Sequence, residues 1–103
     1  MAQPIYKVYF MKYKEPWYKL TTEEQNKLIA QNVEFLKQVG SEPIILCNSV
    51  WSSEEWLAWG VEKYPDIEAV QKLADNLFSI NWFEYIESKT YLGVEIPLTS
   101  IVG

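Results

Sequence analysis

Histidine and arginine are both missing from this chain of 103 residues. Without histidine, the chain lacks the usual acid–base catalyst of neutral pH, the imidazole metal ligand and the proximal haem ligand. Without arginine, it lacks the guanidinium group that reads bases and clamps phosphates in a bidentate way. All nine cationic side chains are scattered lysines, and the formal net charge is −5. We therefore expect no nucleic-acid partner.

Cysteine and glycine are also scarce. Cys47 is the only cysteine, which excludes an intrachain disulfide and a thiolate metal cluster. Its apolar neighbours Ile45 and Leu46 favour a small buried hydrophobic residue, with a reactive thiol as the alternative. The four glycines are isolated, so no phosphate-binding loop is present. The carboxylates suit helix starts and exposed faces, and we expect neither a metal nor a cofactor.

Long apolar runs are absent as well. No run is long enough to span a bilayer and no basic-plus-apolar leader opens the chain, so we expect a cytoplasmic protein without a membrane partner. Apolar residues nevertheless make up 49% of the chain and aromatic residues 16%. The length indicates a single domain, residues 1–103. A domain this small leaves much surface exposed, and dimerisation would bury more of it.

The first half of the chain predicts a strand and a helix. Residues 5–13 are rich in β-branched and aromatic types, which favours a strand, and residues 14–20 form a loop. Thr21 and Glu24 have capping-box spacing, and Gly40 lies where a helix should end. Apolar residues recur between them at helical intervals: Leu28, Ile29, Val33, Leu36 and Val39.

The middle of the chain predicts two more strands, residues 43–51 and 55–64, joined by a serine turn. An alternative is a helix, because Ser52 and Glu55 also have capping-box spacing. The face of that helix would carry Trp56, Trp59, Gly60 and Tyr64. We prefer the strand, because Gly60 would weaken a helix interior and a hairpin needs only a short connection.

The last third predicts a second helix and a fourth strand. Asp66 caps the helix, and its apolar stripe comprises Ile67, Val70, Leu73, Leu77 and Phe78. Residues 82–87 form the fourth strand, which residues 91–96 either extend or supplement with a short edge strand. The order β-α-β-β-α-β is the split arrangement of ferredoxin-like α+β folds. It predicts a four-stranded antiparallel sheet with both helices on one face.

Apolar side chains emerge from both faces of the predicted sheet. In the first strand, Tyr9 alternates with Val8 and Phe10, and in the third strand Trp56 and Trp59 lie on opposite faces. A sheet face exposed to water should be polar, and exposing several aromatic rings to water would cost many kcal/mol of folding free energy. The helices cover one face, so we expect a second copy of the chain to cover the other, giving a homodimer through sheet faces.

The element order and residues 61–69, Val-Glu-Lys-Tyr-Pro-Asp-Ile-Glu-Ala, resemble the dimeric α/β-barrel superfamily. There an aromatic-proline pair closes the third strand and an acidic stretch opens the second helix. The resemblance covers residues 5–96 and is to antibiotic-biosynthesis-type monooxygenases, stress-responsive barrel proteins, ether-degradation-type proteins and muconolactone isomerases. The chain also looks like an uncharacterised small family of this superfamily. The absent histidine departs from its haem-degrading and chlorite-dismutase-like members.

The resemblance implies a small-molecule pocket between sheet and helices in each subunit. In monooxygenase-type relatives an asparagine and a tryptophan assist an oxidation without a cofactor. Asn48, with Trp59 or Trp51, is the nearest counterpart here. The alternative is that Asn48 bonds backbone or lies at a dimer seam.

Several other polar or aromatic side chains are candidates for the pocket. Glu62 and Glu84 interrupt predicted strands, and a carboxylate in an aromatic pocket would have a raised pKa and could act as a base. The alternative is that both are solvated at strand ends. Tyr9 and Tyr85 could donate a hydrogen bond to a ligand, or serve as core residues with wet hydroxyls. Trp17 could stack on a ligand at the pocket mouth.

Two kinds of function remain open. We expect a small homodimeric barrel protein that binds a small hydrophobic or aromatic molecule in a sheet–helix pocket. The alternative is a cofactor-independent monooxygenase or isomerase acting on an aromatic or polyketide-like substrate. A cavity with Asn48 or a glutamate inside it would favour the enzyme.

Overall fold

The computed structural model describes residues 3–99 and has the predicted ferredoxin-like α+β architecture. Its elements are β1 Ile5–Tyr13, α1 Glu15–Tyr18, α2 Thr22–Gln38, β2 Glu42–Asn48, β3 Ala58–Tyr64, α3 Ile67–Ser79, α4 Trp82–Tyr85 and β4 Ile86–Gly93. The strands form one antiparallel sheet in the order β2-β3-β1-β4. Both long helices lie on one face of it.

Strand β1 has the predicted bounds and lies at the centre of the sheet. Val8 pairs with Val61 of β3 on one side and Tyr91 of β4 on the other. Because side chains alternate, every second residue from Lys7 to Tyr13 faces the helices, and the residues between them face away. This register decides which side chains can meet under the helices.

Helix α2 begins and ends as predicted. The Glu24 N–H donates to Thr21 Oγ1 at 3.1 Å, and the Thr21 N–H donates to Glu24 Oε1 at 2.9 Å, which completes the capping box. Gly40 adopts the left-handed φ of 75° that ends the helix. No residue of α2 is fully buried, however, and the helix meets the core through the partly buried Phe35 and Leu36.

Helix α3 supplies most of the core. The Asp66 carboxylate caps it by accepting from the Ala69 N–H at 2.8 Å. Ala69, Leu73 and Leu77 are buried and pack with Val39 and Tyr64. The predicted stripe was wrong at its two ends, because Ile67 and Phe78 are 41% and 66% exposed. Successive residues are rotated by about 100° around a helix axis. Ile67 and Phe78 therefore lie on a different side of α3 from its buried residues.

The connection between β2 and β3 is longer than predicted. Strand β2 ends at Asn48 and β3 begins at Ala58, so the predicted bounds of both were wrong. Buried Ser49 explains the difference, because its hydroxyl donates to the Trp56 carbonyl at 3.0 Å and organises the turn. The helix alternative was wrong too, since residues 58–64 are extended.

Two aromatic segments were assigned wrongly. Residues 82–85 form the helical turn α4, preceded by Asn81 in the left-handed region with φ 59°, and β4 starts only at Ile86. The predicted loop at residues 14–20 contains the single helical turn Glu15–Tyr18. Both short turns lie close to each other, with the Lys14 N–H donating to the Tyr85 carbonyl at 2.8 Å.

Within residues 3–99, nothing covers the face of the sheet opposite α2 and α3. Its apolar side chains are half-buried or exposed: Tyr6, Val8, Phe10, Ile45, Cys47, Trp59, Val61 and Tyr91. Cys47 is therefore not fully buried. None of the helices within residues 3–99 is long and apolar enough to cross a membrane.

Candidate functional site

A cavity of about 510 Å³ lies between the sheet and the helices. Helix α2 covers it with Ile29, Asn32 and Leu36, and helix α3 with Val70, Leu73, Ala74 and Leu77. The sheet side carries Lys7, Tyr9, Met11 and Tyr13 from β1, and Ala58 and Glu62 from β3. The wall is thus mostly apolar, with one amine, one carboxylate and two phenols along the sheet.

A second concavity, of about 530 Å³, lies on the helix-free face beside Tyr6, Val8 and Tyr91. It is open to solvent, and neither of the long helices α2 and α3 covers it. We assign the candidate site to the sheet–helix cavity, because that cavity is bounded on both sides and contains the convergent polar groups.

Glu62 is the centre of those polar groups. It is buried, and the Tyr64 hydroxyl donates to its Oε1 at 2.6 Å. Lys7 lies opposite Glu62 across the β1–β3 pair, with its Nζ 3.8 Å from the same oxygen. The Lys7 ammonium also lies 5.5 Å from the centre of the Tyr9 ring and 5.9 Å from that of Tyr64. A buried carboxylate needs such partners, since isolated charge is costly away from water.

Burial shifts the acid–base properties of the groups around Glu62. It lowers the pKa of the Lys7 amine, although the Glu62 charge acts in the opposite direction. Burial, and then the negative charge of Glu62, raise the pKa of Tyr9 to about 12. Burial and the hydrogen bond to Glu62 raise the pKa of Tyr64 still further. Both phenols therefore remain hydrogen-bond donors at neutral pH.

Gly60 makes room for Tyr9. The two residues are cross-strand partners, and a Cβ at position 60 would lie 2.6 Å from the Tyr9 Oη. The same Cβ would lie 2.9 Å from the carbonyl oxygen of Ile45 on β2. Only glycine therefore lets the Tyr9 ring lie across β3 while β2 pairs on its other side.

An aromatic stack bounds one end of the cavity. The rings of Tyr13 and Trp17 are 4.5 Å apart and nearly parallel, at 2°. Trp17 is buried on the single turn of α1, and its carbonyl accepts from Gln25 Nε2 at 3.0 Å. The stack is thus fixed to both the sheet and α2.

The structure brings together three of the predicted site residues: Tyr9, Glu62 and Trp17 all line the cavity. The alternative of a solvated Glu62 was wrong, since that residue is buried. Lys7 and Tyr64 complete the cluster, and the predicted site did not include them. The alternation of β1 places Lys7 on the same face as Tyr9, which was the available signal.

The other five predicted site residues lie outside the cavity. Asn48 is exposed, and its Oδ1 accepts from the Val50 N–H at 2.9 Å, so it bonds backbone. Trp51 is 84% exposed, and its indole donates to the Asn48 carbonyl. Trp59 lies on the helix-free face, opposite Phe10. Glu84 and Tyr85 belong to α4 and not to a strand, and Glu84 is exposed.

No metal centre is evident in the part of the chain that the structure describes. Across residues 3–99, no three histidine, cysteine, aspartate or glutamate side chains converge closely enough to hold an ion. The polar side chains that line the cavity are the Lys7 amine, the Glu62 carboxylate, the phenols of Tyr9 and Tyr13, the Asn32 amide and the hydroxyls of Ser88 and Thr90.

Comparison with known proteins supports the fold alone. No family model and no curated protein matches the sequence. A mutant chlorite dismutase from Candidatus Nitrospira defluvii superposes with a TM-score of 0.75 at 18% identity, over 99% of this chain and 44% of that one. A Mesorhizobium loti protein of the dabb family, with a ferredoxin-like fold, superposes with a TM-score of 0.60 at 10% identity, over 90% of this chain and 97% of that one. SnoaB, a cofactor-independent oxygenase from Streptomyces nogalater, superposes with a TM-score of 0.54 at 9% identity, over 92% of this chain and 95% of that one.

These matches confirm the predicted ferredoxin-like α+β fold and show a likeness of fold only. The chain spans about half the length of the chlorite dismutase chains that it matches. At such low identities none of the matches assigns an activity to this chain.

Replacing Gly60 by alanine tests the close approach of Tyr9. We expect Gly60→Ala to lower the free energy of unfolding by about 1–3 kcal/mol, because both the Tyr9 ring and the β2 backbone must move. Gly93→Ala is the matched control, since a Cβ there would meet nothing within 4 Å. Urea denaturation of both variants measures the difference, and equal stabilities would contradict the described packing.

The raised pKa of Tyr9 predicts a loss of stability at alkaline pH. A phenol that ionises less readily in the folded state stabilises the fold fully below its unfolded pKa, near 10, and this contribution is lost as pH rises through about 12. The free energy of unfolding of the wild type should therefore fall more over this pH range than that of Tyr9→Phe. Lys7 is present in both proteins, so its own titration does not distinguish them. Denaturation at a series of pH values measures this, with exposed Tyr18→Phe as the control; parallel curves for wild type and Tyr9→Phe would refute it.

Proposed function

We propose that this chain is a homodimeric barrel protein that binds a small hydrophobic or aromatic molecule in the sheet–helix cavity. The observation that carries the proposal is the cavity itself, whose volume of about 510 Å³ lies within the range of about 300–1,000 Å³ typical of ligand sites. Its apolar wall supplies binding energy through burial, and its few polar groups supply orientation.

The charges in the cavity favour a neutral ligand. Lys7 and Glu62 carry opposite charges 3.8 Å apart, so the strip has no net charge with which to hold an ion. A ligand carboxylate would compete with Glu62 for Lys7 and leave one carboxylate unpaired in an apolar site. A neutral carbonyl or hydroxyl group can instead use the Tyr9 phenol as a hydrogen-bond donor.

Homodimer formation is supported by the uncovered face of the sheet. Val8, Phe10, Trp59 and Val61 form its apolar centre. Contiguous apolar patches of this kind are rare on monomers and mark interaction sites. A second copy seated sheet to sheet would cover the patch with its own equivalent.

A cofactor-independent oxygenase or isomerase is the second candidate, and the burial of Glu62 favours it. A carboxylate at the floor of an apolar cavity can accept a proton from an activated C–H group of a bound aromatic compound. Asn48, Trp59 and Glu84 lie outside the cavity, so this chemistry would depend on Glu62 and Tyr9. The likeness in fold to SnoaB supports this second candidate function by analogy only.

Filling the cavity tests the binding site. Ala74 lines it from α3, and we expect Ala74→Trp to weaken binding of the neutral fluorescent probe N-phenyl-1-naphthylamine by about tenfold or more, because the indole occupies the ligand volume. Ala30→Trp, on the exposed side of α2, is the matched control and should bind as wild type. Fluorescence titration measures both, and native mass spectrometry of the purified wild type reports any retained small molecule. Unchanged binding by Ala74→Trp would rule out the cavity as the site.

Charging the helix-free face tests the homodimer. Val8 lies at its centre, and Val8→Glu would bury an unpaired carboxylate in the interface. We expect the dissociation constant of the dimer to rise by about 100-fold or more. Val33→Glu, at an exposed valine of α2, is the control. Size-exclusion chromatography with light scattering measures both variants, and a wild type that stays monomeric at high concentration would disprove the homodimer.

A further inference from the structure

The Lys7 amine is placed differently from the other lysines of the chain. It is the one lysine of residues 3–99 that lines the sheet–helix cavity, and its side chain is only 17% exposed. By comparison, the side chains of Lys12 and Lys19, which also form ion pairs, are 34% and 75% exposed. Lys7 therefore presents a desolvated primary amine to any molecule that enters the cavity.

The contacts of Lys7 position its amine without a short hydrogen bond. Its Nζ lies 3.8 Å from Glu62 Oε1, an ion-pair distance longer than a hydrogen bond. That oxygen already accepts the short hydrogen bond from Tyr64. The rings of Tyr9 and Tyr64 flank the amine, with their centres 5.5 and 5.9 Å from its Nζ.

We propose that Lys7 forms an imine with a small apolar aldehyde or ketone bound in the cavity, with Glu62 as its proton acceptor and donor. This inference rests on the proposed binding function and names the class of ligand. A primary amine becomes a carbonyl-directed nucleophile when it is desolvated in an apolar pocket. Burial acts on Lys7 in that direction, since it lowers the pKa of the amine.

The step balances with the groups that are present. The Lys7 ammonium first gives one proton to the Glu62 carboxylate, and the free amine then attacks the carbonyl carbon. A C–N bond forms, the carbonyl oxygen takes a proton from nitrogen, and a carbinolamine results. Glu62 returns its proton to the hydroxyl, which leaves as water while the C=N bond forms. One ammonium and one carbonyl thus give one protonated imine and one water.

The site accommodates the charge of the product as well as it accommodates the charge of the reactant. The protonated imine carries the same single positive charge as the Lys7 ammonium, and Glu62 is again a carboxylate beside it. No unpaired charge is therefore created in the apolar cavity during the exchange. Tyr9 adds a protonated phenol beside the amine, which can donate a hydrogen bond to the ligand oxygen.

Reductive trapping tests the imine directly. Wild-type protein is incubated with 2-naphthaldehyde and sodium cyanoborohydride, which reduces an imine to a stable secondary amine, and the labelled lysines are located by peptide mass spectrometry. We expect Lys7 to carry the naphthylmethyl group about tenfold or more as often as any other lysine, because the cavity holds the carbonyl beside it. Lys7→Met should remove this label, whereas the control Lys12→Met should keep it.

Two further measurements separate this inference from the binding proposal. The alcohol 2-naphthalenemethanol cannot form an imine, and its displacement of N-phenyl-1-naphthylamine reports occupancy of the cavity alone. Displacement by the alcohol together with labelling spread over exposed lysines would overturn the imine and leave the binding function standing. Failure of both compounds to displace the probe, with no preference for Lys7, would overturn both. Glu62→Gln should slow trapping at Lys7 by about tenfold or more at saturating aldehyde, because the proton acceptor is lost.

Discussion

The removal of the Glu62 carboxylate from water is the constraint on which the rest of the structure depends. A buried carboxylate must be paired, and its partners are the Tyr64 hydroxyl on the same strand and the Lys7 amine on β1. Lys7 meets Glu62 only in the observed register of β1 against β3, because a slip by one residue would turn Lys7 to the other face. The same pair therefore fixes the centre of the sheet and sets the chemistry of the cavity.

The cavity exists because the two long helices pack differently. Helix α3 is fixed by its buried residues Leu73 and Leu77, which pack with Tyr64. Helix α2 has a complete capping box but no buried residue, and only its partly buried Phe35 and Leu36 pack against the core. Space consequently remains under α2, and Gly60 lets the Tyr9 ring lie flat at its floor. Closer packing of α2 would remove the site without changing the topology.

The sequence predicted most of the fold because its signals there were local. The strand at residues 5–13, the cap at Thr21 and the cap at Asp66 each follow from a few neighbouring residues. Aromatic residues misled the prediction where a tertiary contact decided the outcome, as in the turn Trp82–Tyr85. Within the site, Glu62 and Tyr9 were predicted because a carboxylate and a phenol interrupt apolar strands. Lys7 was missed because its pairing with Glu62 depends on a cross-strand register that no single segment contains.

The side chains that line the cavity, and not the structural matches, indicate what this chain can bind. It superposes on chlorite dismutases but has no histidine, and it spans about half their length. Its cavity instead joins an amine, a carboxylate and phenols at an apolar floor, a set suited to neutral ligands because its charges cancel. Such a pair can pass a proton between its members without changing the net charge of the site. That property makes reaction with a carbonyl compound compatible with a mostly apolar cavity, in which an unpaired charge would be costly.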